Sequence, residues 1–216
     1  MEVQCFTGGN FAQNGYVAWC EVTGQCVIVD PGAAALDMVA AVKAAAGDLT
    51  AILLTHAHLD HVEGLGVIRD YPDAPTYLHP ADRELFDNLP AQAAMFGLSS
   101  SQLDPPEREF EDGGRFSFGE SVFKVIHTPG HCRGHVILYE ESDNLAFVGD
   151  LVFAGSVGRT DLPGGDYQTL FKSIRAHVLT MPGETRLLTG HGPETTVEHE
   201  RTTNPFLIPH YGGELA

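Results

Sequence analysis

Four side chains that can bind a metal ion fall within six residues, in the segment His56-Ala57-His58-Leu59-Asp60-His61. Imidazole nitrogens and carboxylate oxygens are common ligands of zinc, iron and manganese. Residues two apart on an extended chain share a face, so His56 and His58 could reach one ion. A helix that began after them would direct Asp60 and His61 to a second ion. The segment predicts half of a two-metal site, and a cluster of solvated loop histidines is the alternative.

Three further candidate ligands lie in the second half of the chain, where each follows an apolar run typical of a buried strand and comes directly after a glycine. Loops at strand ends commonly present catalytic and binding groups. These candidates are His131, Asp150 and His191, with Asp150 as the natural bridging ligand. Asp30 ends an earlier strand and is interpreted either as a turn cap or as a carboxylate that orients a ligand imidazole.

The elements that must position these residues alternate between strands and helices. Residues 89–114 are predicted to form a lid or connector, and His79 is assigned a structural role. In the first helix, Leu36, Val39 and Val42 recur at helical spacing. Strands are predicted around residues 3–6, 16–20, 26–30, 51–55, 74–80, 121–127, 136–139, 145–148 and 186–189, and helices around 33–46, 81–88 and 166–179.

The composition predicts one globular domain over residues 1–216, since 43% of the residues are hydrophobic. Twelve basic and 29 acidic residues give a net charge of -17, which argues against nucleic acid and anionic membranes as partners. The N-terminus lacks a signal-peptide pattern and no apolar run approaches the roughly 18 residues of a membrane span, so a cytoplasmic location is expected. Without CxxC spacing, the cysteines are predicted to be reduced thiols: Cys5, Cys20, Cys26 and Cys132.

The candidate ligands lie in motifs whose type, order and spacing resemble those of the metallo-β-lactamase superfamily. The resemblance runs from V-D-P-G at 29–32 to G-H-G at 190–192. It implies an α/β fold of the αββα sandwich type, with the metal site at the strand-end edge between two half-repeats. The motifs are T-H-A-H-L-D-H at 55–61, T-P-G-H at 128–131, G-D at 149–150 and G-H at 190–191.

The resemblance implies a site for two divalent metal ions, with zinc as the first expectation and iron or manganese as the alternatives. Asp60 would also act in catalysis by orienting the attacking hydroxide. Position by position, His56, His58 and His131 would bind the first ion, Asp60, His61 and His191 the second, and Asp150 would bridge them.

Within the superfamily, the chain looks most like the short glyoxalase II-like hydrolases, through F-A-G-S-V-G-R-T-D at 153–161 and E-R-T-T-N-P-F-L at 200–207. This resemblance implies hydrolysis of a small-molecule thioester such as S-lactoylglutathione by a metal-bridging hydroxide. Arg159 falls where full-length glyoxalase II has a basic residue that contacts the glutathione carboxylate. An ion pair of Arg159 with Asp161 or Asp166 is the alternative.

Two departures from full-length glyoxalase II concern recognition of glutathione. Gly192-Pro193-Glu194 follows His191 where that enzyme has a tyrosine. Only some 25 residues follow His191, so its helical C-terminal domain is not expected. The motifs therefore favour thioester hydrolysis more strongly than glutathione binding.

Functions of other classes remain open at the level of sequence. A persulfide dioxygenase shares G-R-T-D at 158–161 and would hold a single iron with His56, His131 and Asp150. A secreted β-lactamase and a nuclease are disfavoured by the N-terminus and by the acidic charge. A non-catalytic, metal-stabilised binding module is the structural alternative. The oligomeric state stays open. Packing, a hydrogen bond or solvent exposure is expected for the histidines without ligand positions: His127, His135, His177, His199 and His210. Cys132 is expected to be a small buried residue, with a redox-sensitive thiol as the alternative.

Overall fold

The structure is a computed structural model that describes residues 1–68, 71 and 74–208. Its described residues fall into two compact units. The first unit comprises Met1–Glu111 with Phe116–Val122, and the second comprises Asp112–Arg115 with the chain from Phe123 onward. That residues 1–216 form a single domain stays a prediction, and His210 lies outside the described residues.

The first unit contains a six-stranded sheet whose spatial order follows the chain from β1 to β6. The strands β1 to β3 are antiparallel, and β3 to β6 are joined in parallel. Parallel neighbours need crossover connections, which the helices of this unit supply. The strands are β1 Glu2–Gly8, β2 Gln13–Trp19, β3 Gln25–Val29, β4 Asp48–Leu53, β5 Thr76–Leu78 and β6 Arg108–Glu109.

The helices of the first unit are short, and two differ from the sequence prediction. In the first, Met38, Val39 and Val42 are buried while Leu36 is 68% exposed, so the predicted apolar face is wrong at Leu36. The connector predicted for 89–114 contains a helix, which begins with a proline in its first turn, where the missing N–H costs nothing. The helices are α1 Ala35–Ala44, α2 Leu59–Val62, α3 Leu65–Ile68, a 3-10 turn Pro80–Asp82, α4 Arg83–Asp87 and α5 Leu89–Met95.

A second six-stranded sheet has the order β14-β13-β10-β9-β8-β7. The pair β10 and β13 is parallel, and β8, β9 and β10 are antiparallel neighbours. A separate two-stranded hairpin, β11 and β12, follows Asp150. The strands are β7 Arg115–Phe118, β8 Ser121–His127, β9 Val136–Glu140, β10 Leu145–Gly149, β11 Val152–Phe153, β12 Ser156–Val157, β13 Arg186–Thr189 and β14 Thr195–Thr196.

The helix predicted at 166–179 is present as α6 Tyr167–Ser173, continued by a π-helical turn Ile174–Val178. It buries Leu170, Ile174 and Val178 against the second sheet's core, as the spacing predicts. Another helix, α7 Val197–Thr203, follows β14.

A buried carboxylate on α7 ties that helix to the β11–β12 hairpin. Glu200 accepts hydrogen bonds from Thr195 Oγ1 at 2.6 Å, Gly155 N at 2.9 Å and Asn204 Nδ2 at 2.7 Å. Asn204 Nδ2 also donates to the carbonyl of Ser156 at 2.9 Å. The motif at 200–207 therefore supplies the side chains that hold the hairpin in place, and we call this set of hydrogen bonds the clamp of Glu200.

Among the described residues, no helix has the length and apolar character needed to cross a bilayer.

Candidate metal centre

The first group of predicted ligands lies on the loop between β4 and α2. The predicted strand 51–55 ends earlier, at Leu53, so the histidines begin on extended loop backbone. The ring centroid of His56 lies 4.8 Å from that of His58 and 4.0 Å from that of His61. All three imidazoles are buried. Because α2 begins directly after His58, Asp60 and His61 lie on helical backbone, as the sequence predicts.

Asp30 orients one of these imidazoles from the end of β3. Its carboxylate accepts hydrogen bonds from Thr55 N at 2.7 Å and Thr55 Oγ1 at 2.6 Å, and Oδ2 lies 3.0 Å from Nδ1 of His61. Since both carboxylate oxygens accept hydrogen bonds, Asp30 acts as an orienting group. With Nδ1 protonated, Nε2 is the nitrogen of His61 that could bind a metal ion, the arrangement common to metal-ligating histidines.

Thr55 orients a second imidazole in the same way. Its hydroxyl donates to Asp30, so it can accept from Nδ1 of His56, which lies 3.1 Å away. Nε2 is then the nitrogen of His56 that could bind a metal ion. The threonine of the T-H-A-H-L-D-H motif thus connects the Asp30 carboxylate to the first ligand.

Two side chains that sequence reasoning missed hold the backbone around His58. Ala57 N donates to Asp82 Oδ2 at 3.1 Å, and Leu59 N donates to Gln92 Oε1 at 3.1 Å. The amide of Gln92 also donates to the carbonyl of Ala57 at 3.0 Å. In the sequence, Asp82 looks like an ordinary helix-start residue and Gln92 like a surface position, so neither carried a signal of its own.

Two smaller features of the first unit agree with their sequence motifs. The glycine of V-D-P-G is required, because a Cβ at Gly32 would contact the carbonyl oxygen of Asp60. His79 caps the turn that follows it, since its Nδ1 accepts from Ala81 N at 3.3 Å. The structural role predicted for His79 is therefore confirmed.

The second group of predicted ligands lies in the second unit, where three strand ends bring them together. Oδ2 of Asp150 lies 3.5 Å from Nε2 of His131 and 3.4 Å from Nε2 of His191. The His131 side chain is buried, whereas that of His191 is 28% exposed. One carboxylate oxygen thus faces two imidazole nitrogens, an arrangement suited to a ligand shared between ions.

Main-chain groups orient His131. Its Nδ1 donates to the carbonyl of Arg159 at 2.8 Å, so Nε2 is again the nitrogen that could bind a metal ion. The chain at Gly158 passes so close that a Cβ there would overlap the carbonyl oxygen of Asp150. On the other side, a Cβ at Gly130 would overlap the backbone of Leu170 in α6. Two glycines therefore set the close approach of the loops that carry these ligands.

The guanidinium of Arg159 pairs with Asp161, the alternative partner in the sequence analysis. Nε and Nη2 donate to the two carboxylate oxygens at 2.7 and 2.8 Å. These hydrogen bonds lower the pKa of Asp161 to about 2. Asp166 instead caps α6 by accepting from Thr169 N at 2.7 Å. Binding of a substrate carboxylate by Arg159 stays a prediction.

The donor chemistry of both groups fits divalent metal ions. Three imidazoles hold Nδ1 in hydrogen bonds that present Nε2 for coordination, and the carboxylates of Asp60 and Asp150 lie beside imidazoles. Neutral imidazole and ionised carboxylate are ligands that zinc, iron and manganese accept. The residues present therefore match a metal-binding site.

The sheets and the imidazole and carboxylate groups define a metal-binding α/β protein. The family model described as the metallo-beta-lactamase superfamily matches residues 8–191, and the chain belongs to this superfamily.

The similarity to known proteins extends over almost the whole chain. Hydroxyacylglutathione hydrolase GloC of Haemophilus influenzae is 34% identical over 209 residues, which cover 96% of this chain and 98% of GloC. The crystal structure of BLEG-1 B3 metallo-beta-lactamase has a TM-score of 0.89 at 33% identity and covers 98% of this chain and 100% of its own. The crystal structure of TTHA1623 in a di-iron-bound form has a TM-score of 0.86 at 41% identity, and the match covers 94% of this chain and 100% of TTHA1623. The predicted metallo-β-lactamase fold and the general class of metal-dependent hydrolase are confirmed.

Proposed function

We propose that this protein is a binuclear metal-dependent thioesterase that hydrolyses hydroxyacyl-glutathione-type thioesters. The observation that carries the proposal is the orientation of the imidazoles: Nδ1 of His56, His61 and His131 faces Thr55 Oγ1, the Asp30 carboxylate and the Arg159 carbonyl, respectively. Ligand histidines are held in this way because the second hydrogen bond fixes the tautomer and the ring plane. Three of the candidate ligands share this arrangement.

The proposed ligand assignment follows the motifs position by position. His56, His58 and His131 would bind one ion and Asp60, His61 and His191 the other. Asp150 would bind both. When bound, two such ions lower the pKa of a shared water and stabilise negative charge that develops on a carbonyl oxygen. Asp60 accepts a hydrogen bond from the nucleophilic water and so orients it towards the carbonyl carbon. These residues, together with the substrate's thiolate leaving group, account for acyl transfer to water.

The choice of a thioester rests on the relative GloC, whose name states hydroxyacylglutathione hydrolysis, and on the glyoxalase II-like motifs at 153–161 and 200–207. The partner is then a small anionic thioester rather than nucleic acid or a membrane. Arg159 would bind a carboxylate of its thiol part through the paired N–H groups that now contact Asp161.

The identity of the metal remains a prediction, with zinc as the first expectation and iron or manganese as the alternatives. Zinc suits a ligand set of neutral imidazoles and carboxylates. Iron is equally suited, and TTHA1623 has been crystallised in a di-iron-bound form. Either pair of ions is compatible with hydrolysis, whereas persulfide oxygenation needs a redox-active iron.

The test is to purify the protein without added metal, quantify bound metals, and compare three reactions. These are hydrolysis of S-lactoylglutathione, hydrolysis of a chromogenic cephalosporin, and oxygen uptake on glutathione persulfide. About two metal ions per chain with thioester turnover supports the proposal. A single iron with persulfide-dependent oxygen uptake identifies a dioxygenase and overturns it. Cephalosporin turnover without thioester turnover, or metal binding without any turnover, also overturns it.

The ligand assignment is tested by His58→Ala and His61→Ala. Each should lose most of the bound metal and reduce thioester hydrolysis severely, because each removes a nitrogen from a different ion. His199→Asn is the matched control, since His199 is exposed on α7 and has no ligand position. If both alanine variants retain hydrolysis at the level of the control, the binuclear mechanism is wrong.

A further inference from the structure

His135 is a fully buried histidine that the ligand motifs do not include. Its Nε2 lies 3.2 Å from the backbone nitrogen of Asp150 and accepts that N–H. Its Nδ1 lies 2.8 Å from the hydroxyl oxygen of Thr128. The ring therefore connects the strand end before His131 to the strand end that carries Asp150.

The hydrogen bonds define the protonation state of the His135 ring. A backbone N–H can only donate, so Nε2 must be the unprotonated nitrogen. In the neutral imidazole the proton then sits on Nδ1, which donates to the Thr128 hydroxyl. The hydroxyl can in turn donate to the carbonyl of His135, 3.4 Å away. The chain holds His135 in one tautomer, with its acceptor directed at the backbone of Asp150.

The backbone at this position needs such support. Gly149, directly before Asp150, has a φ of +45°, so the chain leaves β10 through a left-handed turn. Asp150 is buried at this turn, where a backbone N–H without an acceptor would destabilise the fold. His135 supplies that acceptor and fixes where the Asp150 side chain begins.

We infer that His135 is a positioning residue, which holds the backbone of Asp150 so that its carboxylate faces both His131 and His191. The inference rests on the proposed function, because it concerns the carboxylate that the two ions would share. His135 touches neither the substrate nor the metal in this role. It differs from a packing histidine in that the position of one acceptor atom should matter more than the volume of the ring.

Two substitutions of similar polarity distinguish a positioning role of His135 from a packing role. In His135→Gln, the amide oxygen can reach the place of Nε2 and accept the N–H of Asp150. In His135→Asn, the shorter amide reaches only the place of Nδ1. We expect the Asn variant to lose metal affinity by about 10- to 100-fold, the range found when an orienting group of a metal ligand is removed, and the Gln variant to recover most of that loss.

The measurement is competition for Zn²⁺ against a chromophoric chelator, with the visible absorption of the Co²⁺-loaded protein as a second readout. A changed cobalt spectrum in the Asn variant and a wild-type spectrum in the Gln variant support the inference. Equal affinities and spectra in wild type, Gln and Asn variants overturn it, as does an equal loss in both folded variants. Neither readout depends on turnover.

Thr128→Val gives an independent test that leaves His135 in place. Valine has the shape of threonine but cannot accept a hydrogen bond from Nδ1–H. The tautomer with its proton on Nε2 therefore becomes more favourable relative to the one with its proton on Nδ1. Metal affinity should then fall, while Thr128→Ser, which keeps the hydroxyl, should bind metal like the wild type. Wild-type affinity in a folded Thr128→Val variant would contradict the inference.

The outcomes also distinguish this inference from the proposed function. If the wild type binds two metals but does not hydrolyse thioesters, the proposed function fails and the His135 comparison can still be made on metal affinity. If the wild type hydrolyses thioesters and the His135 and Thr128 variants bind metal normally, the proposed function stands and the positioning role fails.

Discussion

The two groups of ligands are built in opposite ways. In the first unit, the ligands follow one another on a single loop, and side chains from elsewhere in the unit orient them: Asp30, Asp82 and Gln92. In the second unit, the ligands come from three separate strand ends. Nδ1 of His131 donates to a main-chain carbonyl, and glycines allow the close approach of the loops that carry His131 and Asp150.

This difference teaches where each group is vulnerable. A loop held by side chains can lose one support and keep its backbone path, so the effect should appear mainly in metal affinity. Loops held by close backbone contact have no such freedom, since an added methyl group must move the chain itself. Substitutions of comparable size should therefore cost more stability in the second unit.

The largest effect is expected from Gly158→Ala, which places a methyl group against the carbonyl of Asp150. The shift of the backbone should lower the free energy of unfolding by about 3 kcal/mol and displace both Asp150 and the Arg159 carbonyl. Chemical denaturation and metal quantification measure the two effects. Gly66→Ala is the control, because a Cβ at Gly66 would meet nothing within 4 Å. Equal stability of the two variants would contradict the comparison.

Asp30→Asn should have the next largest effect, and mainly on the metal. Asparagine tolerates the positive φ of +50° at this position, but it offers one acceptor oxygen instead of two and loses the charge. The unfolding free energy should fall by about 2 kcal/mol, because the buried donors of Thr55 or His61 lose an ionic acceptor. Metal affinity should fall by about 10- to 100-fold. Chelator competition that finds unchanged affinity would show that Asp30 is only a turn residue.

Gln92→Leu should be milder, since it removes an amide that holds only backbone. The groups left behind are the N–H of Leu59 and the carbonyls of Ala57 and Leu85. We expect a loss of about 1–2 kcal/mol in unfolding free energy and a smaller loss of metal affinity than in Asp30→Asn. Gln92→Glu keeps an acceptor for Leu59 N but cannot donate to the two carbonyls, so it separates the accepted hydrogen bond from the donated ones. A larger loss of metal affinity in Gln92→Leu than in Asp30→Asn would contradict the expectation that Asp30 contributes more to metal binding than Gln92 does.

The smallest effect concerns the exposed pair of Arg159 and Asp161. The pKa of Asp161 is lowered from 3.8 to about 2, chiefly by the hydrogen bonds from Arg159. A lowered pKa means that this pair stabilises the fold above pH 3.8 and that the contribution is lost as the pH falls through 2. Arg159→Gln should return the carboxyl pKa towards 3.8, as measured by NMR titration. An unchanged pKa would mean that another group holds the Asp161 carboxylate.

The four candidate ligands of the first group can be identified from the sequence because they share one short segment whose spacing is itself the signal. The sequence also predicts the strand ends of the second group, since each ligand follows an apolar run. The side chains that orient the candidate ligands are harder to predict from the sequence. Thr55 and Asp30 lie inside motifs, whereas Gln92 becomes important only because α5 forms within a stretch predicted to be a connector.

The role of His135 illustrates the same limit. In the sequence it has the same appearance as His127 or His199, and only its burial and the direction of its two ring nitrogens distinguish it. Leu36 is a contrary case, where helical spacing predicts burial and the helix turns the side chain to solvent. Spacing identifies which residues share a face, but the neighbouring elements decide which face is covered.

The clamp of Glu200 on the β11–β12 hairpin has a practical consequence for shortening the chain. The hairpin leads directly into Gly158 and Arg159, whose backbone atoms contact Asp150 and His131. A protein cut before α7 would keep every predicted ligand but lose the carboxylate and the amide that hold the hairpin at Gly155 and Ser156. The minimal active fragment should therefore extend through Asn204, well beyond the last ligand.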